Sequence, residues 1–107
     1  MDVIAESTFD VANSNEQMHL KVFRPEISKR NNGWSCLFQI DRPLDLSRVT
    51  YGETSLQALV LAIKTASACL YGSELYKNGQ LGTFGRFGGN LYIPAPKEFL
   101  DLAPYPF

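Results

Sequence analysis

The segment with the clearest chemical potential spans residues 79–90, which hold five of the chain's eight glycines. Glycines let successive backbone amides point at one anion, and Arg86 adds a guanidinium that grips phosphate or carboxylate with two hydrogen bonds. Phe84 and Phe87 flank Arg86 and offer rings for stacking. The segment lacks Gly-Lys-Ser/Thr and follows a predicted helix, so it fits neither the phosphate loop nor the dinucleotide motif. We predict either a packed connector or a loop that binds a ligand or partner.

The other reactive side chains are isolated from one another. His19 is the only histidine, and Cys36 and Cys69 are the only cysteines, with no Cys-x-x-Cys pair. Their spacing fits neither a zinc site nor a disulfide framework. A nucleophile pair of Cys36 with His19 needs both side chains on one face, whereas strand alternation predicts opposite faces. We therefore predict no catalytic residue, no metal site and no cofactor, with His19 on the surface and Cys36 in the core.

Four runs in the first half alternate polar and apolar residues with the period of two that is typical of strands. They lie within residues 3–11, 17–24, 34–41 and 46–51. Turn-forming residues, such as Asn32-Gly33, separate them. Short connections between successive strands favour an antiparallel meander over residues 1–51.

One face of this meander carries mostly polar side chains. Under the predicted alternation they include Glu6, Asp10, His19, Lys21 and Asp41. Carboxylates on an open, solvated sheet lack the shifted pKa values that acid–base catalysis needs. We expect a solvated face, or one on which a partner docks with Trp34 and Phe23 as anchors near the rim.

After residue 53, the apolar residues recur with the spacing of an α-helix. Thr54 starts a capping box in which Gln57 reaches back to the cap. An apolar stripe follows, made up of Leu56, Leu59, Val60, Ile63, Ala66 and Leu70. Gly79 is a natural stop for a helix over residues 54–78, although Gly72 offers an earlier end. The expected fold class is α+β, an antiparallel meander of about four strands with one long helix packed on one face.

The side of the helix opposite this stripe is poor in charge. Residues 54–73 contain one charged side chain, Lys64. A helix that is apolar nearly all round is usually covered on both sides. Residues 91–107 form a proline- and aromatic-rich tail, and one predicted cover is its part over residues 95–107, folded back through Phe99, Leu100, Leu102, Tyr105 and Phe107. The other is a second subunit, in a homodimer through the face that carries Ala58, Leu61, Ala62, Thr65 and Cys69.

Composition bounds the class of protein. The chain has 107 residues, a formal net charge of -1 and 45% hydrophobic residues, which describes one folded domain with a real core. Near-neutral charge argues against nucleic acid and against an anionic membrane as the main partner. The acidic N-terminus and the lack of a membrane-length apolar run predict a cytoplasmic protein.

The start of the predicted helix resembles a known signature. Tyr51-Gly52-Glu53-Thr54-Ser55-Leu56-Gln57-Ala58-Leu59 is similar to the Tyr-Gly-x-x-Ser-x-Gln-Ala-Leu helix start of a family of small, uncharacterised bacterial proteins. Further matching points are Arg24-Pro25, Trp34-Ser35-Cys36 and residues 89–94. The resemblance implies a bacterial, cytoplasmic α+β fold. Because no activity is attached to that family, it implies no functional residue.

These observations favour a non-catalytic protein-interaction module, such as an accessory or immunity-type factor. The alternative is a small-ligand or anion sensor that uses the glycine-rich segment and Arg86. The candidate contact residues are Arg86, Phe84, Phe87, His19 and Trp34.

Overall fold

The structure is a computed structural model that describes residues 2–14, 16–29 and 32–93. It has an α+β fold in which a seven-stranded antiparallel sheet packs against one main helix, so the predicted fold class is confirmed with more strands than expected. The strands are β1 (Val3–Val11), β2 (Gln17–Phe23), β3 (Glu26–Ile27), β4 (Trp34–Ile40), β5 (Leu46–Gly52), β6 (Leu81–Thr83) and β7 (Arg86–Phe87). The helices are α1 (Ser55–Tyr71) and α2 (Glu74–Lys77).

Strand β4 organises one half of the sheet. It pairs with β5 along its whole length on one side, and with β2 and then β3 on the other. Pro25 lies between β2 and β3, where its missing N–H interrupts the ladder. Strand β1 follows β2, and β6 and β7 continue the sheet beyond β1. The path across the sheet therefore ends at β5 on one side and at β7 on the other.

The glycine-rich segment forms a β-hairpin and not the loop that we predicted. Strand β6 pairs with the end of β1, and β7 folds back on β6 through a turn at Phe84-Gly85. Gly85 has a φ of 74°, which glycine adopts without strain. Gly82 lies so close to β7 that a Cβ there would overlap the Arg86 carbonyl. Gly85 therefore allows the tight turn, and Gly82 allows the two strands to pair closely.

The predicted helix over residues 54–78 is interrupted. Helix α1 ends at Tyr71, and Ser73 is extended, with φ of -72° and ψ of 153°. The Ser73 hydroxyl donates to the Leu70 carbonyl at 2.7 Å and accepts the Tyr76 N–H at 3.2 Å. Ser73 thus provides a hydrogen-bond donor for a carbonyl in the last turn of α1 and acts as the N-cap of α2. These two hydrogen bonds favour a break at Gly72 over a continuous helix.

The buried stripe of α1 is rotated from the predicted one. Its fully buried alanines, Ala58, Ala62 and Ala66, follow each other at four-residue spacing and face the sheet. Small side chains let the helix approach closely over β4 and β5, whereas Leu56 at the start of the helix is exposed. Ala58 and Ala62 therefore cannot belong to the surface predicted for a homodimer. Leu61 is exposed, and Thr65 and Cys69 are half-buried.

The predicted tail lies outside the described residues from position 94 onward. Its first residues are held against the fold: Leu91 is buried, and its N–H donates to the Tyr71 hydroxyl at 3.0 Å. The Tyr71 hydroxyl also lies 3.3 Å from the carbonyl oxygen of Ile93. That residues 94–107 cover α1 stays a prediction.

Candidate interaction surface

The two faces of the sheet differ in what covers them. Helix α1 packs on one face, over β4 and β5, and this side holds the core. No described residue packs over the other face, which we call the open face. Alternation along β2 places Met18, Leu20 and Val22 in the core and His19, Lys21 and Phe23 on the open face.

Four apolar side chains form a row across the open face, one from each of β1, β2, β4 and β5. Val3 pairs with Phe23, and Leu37 pairs with Val49. Continuing the β2–β4 register places Phe23 beside Leu37. Val3 and Val49, at the ends of this apolar row, are 43% and 46% exposed.

Tyr51 flanks the apolar row. It lies two residues beyond Val49 on β5, on the same face, and is 37% exposed. Directly opposite side chains in neighbouring strands are about 5 Å apart, so these apolar groups form one contiguous strip. The sequence prediction of a polar face is therefore correct for only part of it.

The remainder of the open face is polar and includes a His–Asp pair. The Asp41 carboxylate accepts the backbone N–H of His19 at 2.6 Å and lies 2.9 Å from the ring Nδ1. Partial desolvation raises the pKa of Asp41, but the hydrogen bonds from His19 and the charges of His19 and Lys21 outweigh it and hold this pKa below its ordinary value. Within the described chain, Asp41 is the one hydrogen-bond partner of the His19 ring.

Cys36 lies on the opposite face from His19, as the alternation predicts. It is fully buried, and its thiol donates to the Phe23 carbonyl at 3.3 Å. Burial raises the pKa of this thiol, which keeps it protonated and unreactive. The structure therefore does not bring the two groups together as a nucleophile pair.

Asp10 connects the β6–β7 hairpin to the open face. Its carboxylate accepts the N–H of Gly85 at 2.9 Å and the side-chain amide of Gln17 at 3.0 Å. These hydrogen bonds, the one from Gly85 foremost, lower the pKa of Asp10. This contact could not be predicted from local sequence patterns, because the two residues are 75 positions apart.

The hairpin tip exposes aromatic side chains. Phe84 and Tyr92 are 80% and 61% exposed, and their rings meet edge to face with centroids 5.2 Å apart. Both backbones are in the left-handed region, with φ of 52° and 61°. Arg86 is exposed beside them and has no carboxylate within ion-pair distance among the described residues.

The predicted contact residues do not form one site. His19 and Phe87 line one groove at the polar end of the open face, together with Asp10 and Gly85. Phe84 and Arg86 lie at the hairpin tip.

Trp34 was predicted at the rim of the polar face, and that was wrong. It lines a groove on the helix side with Pro25, Leu56 and Leu59. It shares its parity on β4 with Cys36, and this parity alone places it on the helix side.

In residues 2–14, 16–29 and 32–93, no three His, Cys, Asp or Glu side chains cluster in a way that could hold a metal ion. Neither described helix combines the length and the apolar character needed to cross a membrane.

Most of the chain matches the model of a protein family. Residues 5–95 match the model of a family described as a domain of unknown function, DUF6968. No curated protein and no solved structure matches the chain.

Proposed function

Because the chain belongs to the DUF6968 family, whose description names no activity, we propose from its geometry that it is a non-catalytic protein-interaction module. The partner docks on the open face of the sheet. This is the role of an accessory or immunity-type factor, which acts by occupying another protein.

The observation that supports this proposal most is the apolar row. A solvated sheet face normally alternates apolar residues inward and polar residues outward. Here Val3, Phe23, Leu37 and Val49 break that rule at matching cross-strand positions, which produces a strip and not scattered exceptions. The strip is exposed at Val3 and Val49 and half-buried at Phe23 and Leu37 between them. Contiguous apolar surface that reaches solvent in this way is a feature of interaction sites.

The polar remainder of the open face suits the rim of such an interface. An apolar centre bounded by hydrogen-bonding groups is the usual anatomy of a protein–protein contact. His19 and Asp41 hold each other in fixed orientations, and Gln39 and Ser47 lie beside them. The expected partner surface is therefore apolar at its centre, with polar groups that meet this end of the face.

The anion-sensor alternative has less support. The Gly85 amide, which such a loop would offer to an anion, already binds the Asp10 carboxylate. The negative charge of Asp10 beside the turn of the hairpin repels a second anion. Arg86 remains exposed, but it is the only basic residue of the hairpin.

The experiment compares capture of proteins from lysate by three tagged versions of the full chain. Val3→Glu places a charge at the end of the apolar row, whereas Thr8→Glu places the same charge on the same strand and face within the polar part. We expect the unchanged chain and Thr8→Glu to retain one stoichiometric partner, identified by mass spectrometry, and Val3→Glu to lose it.

Equal thermal unfolding of the three proteins is the control for folding. Equal capture by all three would show that the partner binds elsewhere. No stoichiometric partner for the unchanged chain would contradict the proposal.

A further inference from the structure

Strand β5 is a long edge strand that is protected against pairing by a single charged side chain, Arg48. Its seven residues pair with β4 in continuous register, and no described residue pairs with its other side. Natural edges are commonly kept short or interrupted by proline or a bulge. The opposite edge, β7, has two residues, whereas β5 contains neither proline nor a bulge.

We propose that a second copy of this chain pairs with β5, strand against strand, in a two-fold symmetric antiparallel dimer with Val49 on the axis. Two-fold dimers bring the same surface of each subunit together, so β5 would meet β5. This interface differs from the helix face that the sequence suggested for a homodimer.

The register follows from the residues of β5. Centring the pair on Val49 places all seven residues, Leu46–Gly52, opposite a partner residue. Centring it on Arg48 sets two guanidinium groups directly opposite each other, which is unfavourable. Centring it on Thr50 leaves Leu46 and Ser47 opposite residues beyond the end of the strand. The Val49 register is therefore the most favourable.

This register also continues the apolar row. Val49 ends the row in each subunit, and antiparallel partners lie on the same face of a sheet. Pairing Val49 with Val49 of the second copy joins the two rows of four into a strip of eight apolar residues. The pairing itself stands on the β5 edge, and only the enlarged docking face rests on the proposed function.

Like charges oppose the dimer and predict its salt dependence. Arg48 becomes the diagonal neighbour of Arg48 in the second copy, and Asp45 lies opposite Glu53 just beyond the strand ends. Because salt screens exposed charges, the dimer should become tighter as ionic strength rises. Arg48→Thr should tighten it at low salt.

Cysteine cross-linking tests the register. In a Cys69→Ser background, Val49→Cys places two thiols on the axis, with Cα atoms about 5 Å apart, which suits a disulfide. Ser47→Cys is the control on the same strand and face, and its counterpart in the dimer lies about 13 Å away along the strand. Ser47 instead faces Tyr51 of the second copy.

We expect Val49→Cys to form a disulfide dimer under mild oxidation and Ser47→Cys alone to stay monomeric. A mixture of Ser47→Cys and Tyr51→Cys chains should form the mixed disulfide. The unchanged chain should sediment at twice its 12.0 kDa mass. Equal cross-linking of Val49→Cys and Ser47→Cys, or a monomer at every concentration and salt level, would overturn the proposal.

The two proposals fail separately. Val3→Glu lies on β1, away from β5, and should leave the cross-linking unchanged while it abolishes partner capture. Loss of cross-linking in a chain that still captures its partner would overturn the dimer alone.

Discussion

At the scale of single residues, glycines mark the places where backbones approach too closely for a side chain. A Cβ on Gly52 would lie 2.6 Å from the backbone nitrogen of Ala58, at the point where β5 meets α1. The Thr50 hydroxyl donates to the Ala58 carbonyl at 2.8 Å in the same region. Gly52 lies just before the N-cap of α1, and this close approach is the physical reason for a glycine at that position.

Gly52→Ala should therefore destabilise the fold. Overpacking against backbone costs roughly 1–3 kcal/mol, because neither the strand nor the helix can move freely. Urea unfolding should show a lower midpoint with an unchanged slope. Gly89→Ala is the matched control, since a Cβ there has no neighbour within 4 Å. A neutral Gly52→Ala would contradict the close approach.

Asp10 gives a second prediction at this scale. Its pKa is lower in the folded chain than the ordinary aspartate value of 3.8, chiefly because Gly85 donates a hydrogen bond to the carboxylate. The contact therefore stabilises the hairpin at pH values above the unfolded pKa and is lost as pH falls through the folded one. In an NMR titration, the Gly85 amide should shift together with Asp10, with a midpoint below 3.8. A midpoint at or above that value would show that the hydrogen bond is absent.

At the scale of elements, sequence patterns predicted the features that depend on neighbouring residues, such as the buried faces of strands and the start of the helix. The alternation in β2 and β4 identified their buried faces, whereas in β1 a bulge between Val3 and Ala5 turns Val3 to the face opposite to the one that its parity predicts. The Thr54 hydroxyl accepts the Gln57 N–H as the capping box predicts. The Gln57 side chain reaches the N–H of Glu53, one residue earlier than expected. The hairpin was missed because β6 pairs with β1, and sequence periodicity carries no information on such distant partners.

Ser73→Ala tests why the predicted long helix is broken. The substitution removes the cap of α2 and leaves the Leu70 carbonyl without that donor, which should cost roughly 1–2 kcal/mol. Ser55→Ala, at an exposed first helical position, should be close to neutral. Chemical denaturation measures both. Equal stability of the two variants would show that the break at Gly72 does not depend on Ser73.

At the scale of the whole molecule, the apolar row across the open face could not be seen in the sequence. Each of the four strands contributes one residue to the row, and one outward apolar residue is common in any strand. Only the cross-strand register shows that Val3, Phe23, Leu37 and Val49 are neighbours. The buried stripe of α1 also depends on tertiary packing. Close packing on the sheet requires small side chains such as alanine, whereas a prediction from hydrophobicity places the leucines in the core.

Methyl NMR of the labelled chain with its captured partner tests the docking surface most directly. If the partner occupies the open face, the methyl signals of Val3, Leu37 and Val49 shift or broaden on binding. Those of Leu56 and Leu61, which are exposed on the helix side, stay unchanged. Changes confined to the helix methyls, with the apolar row unaffected, would contradict the proposed interaction surface.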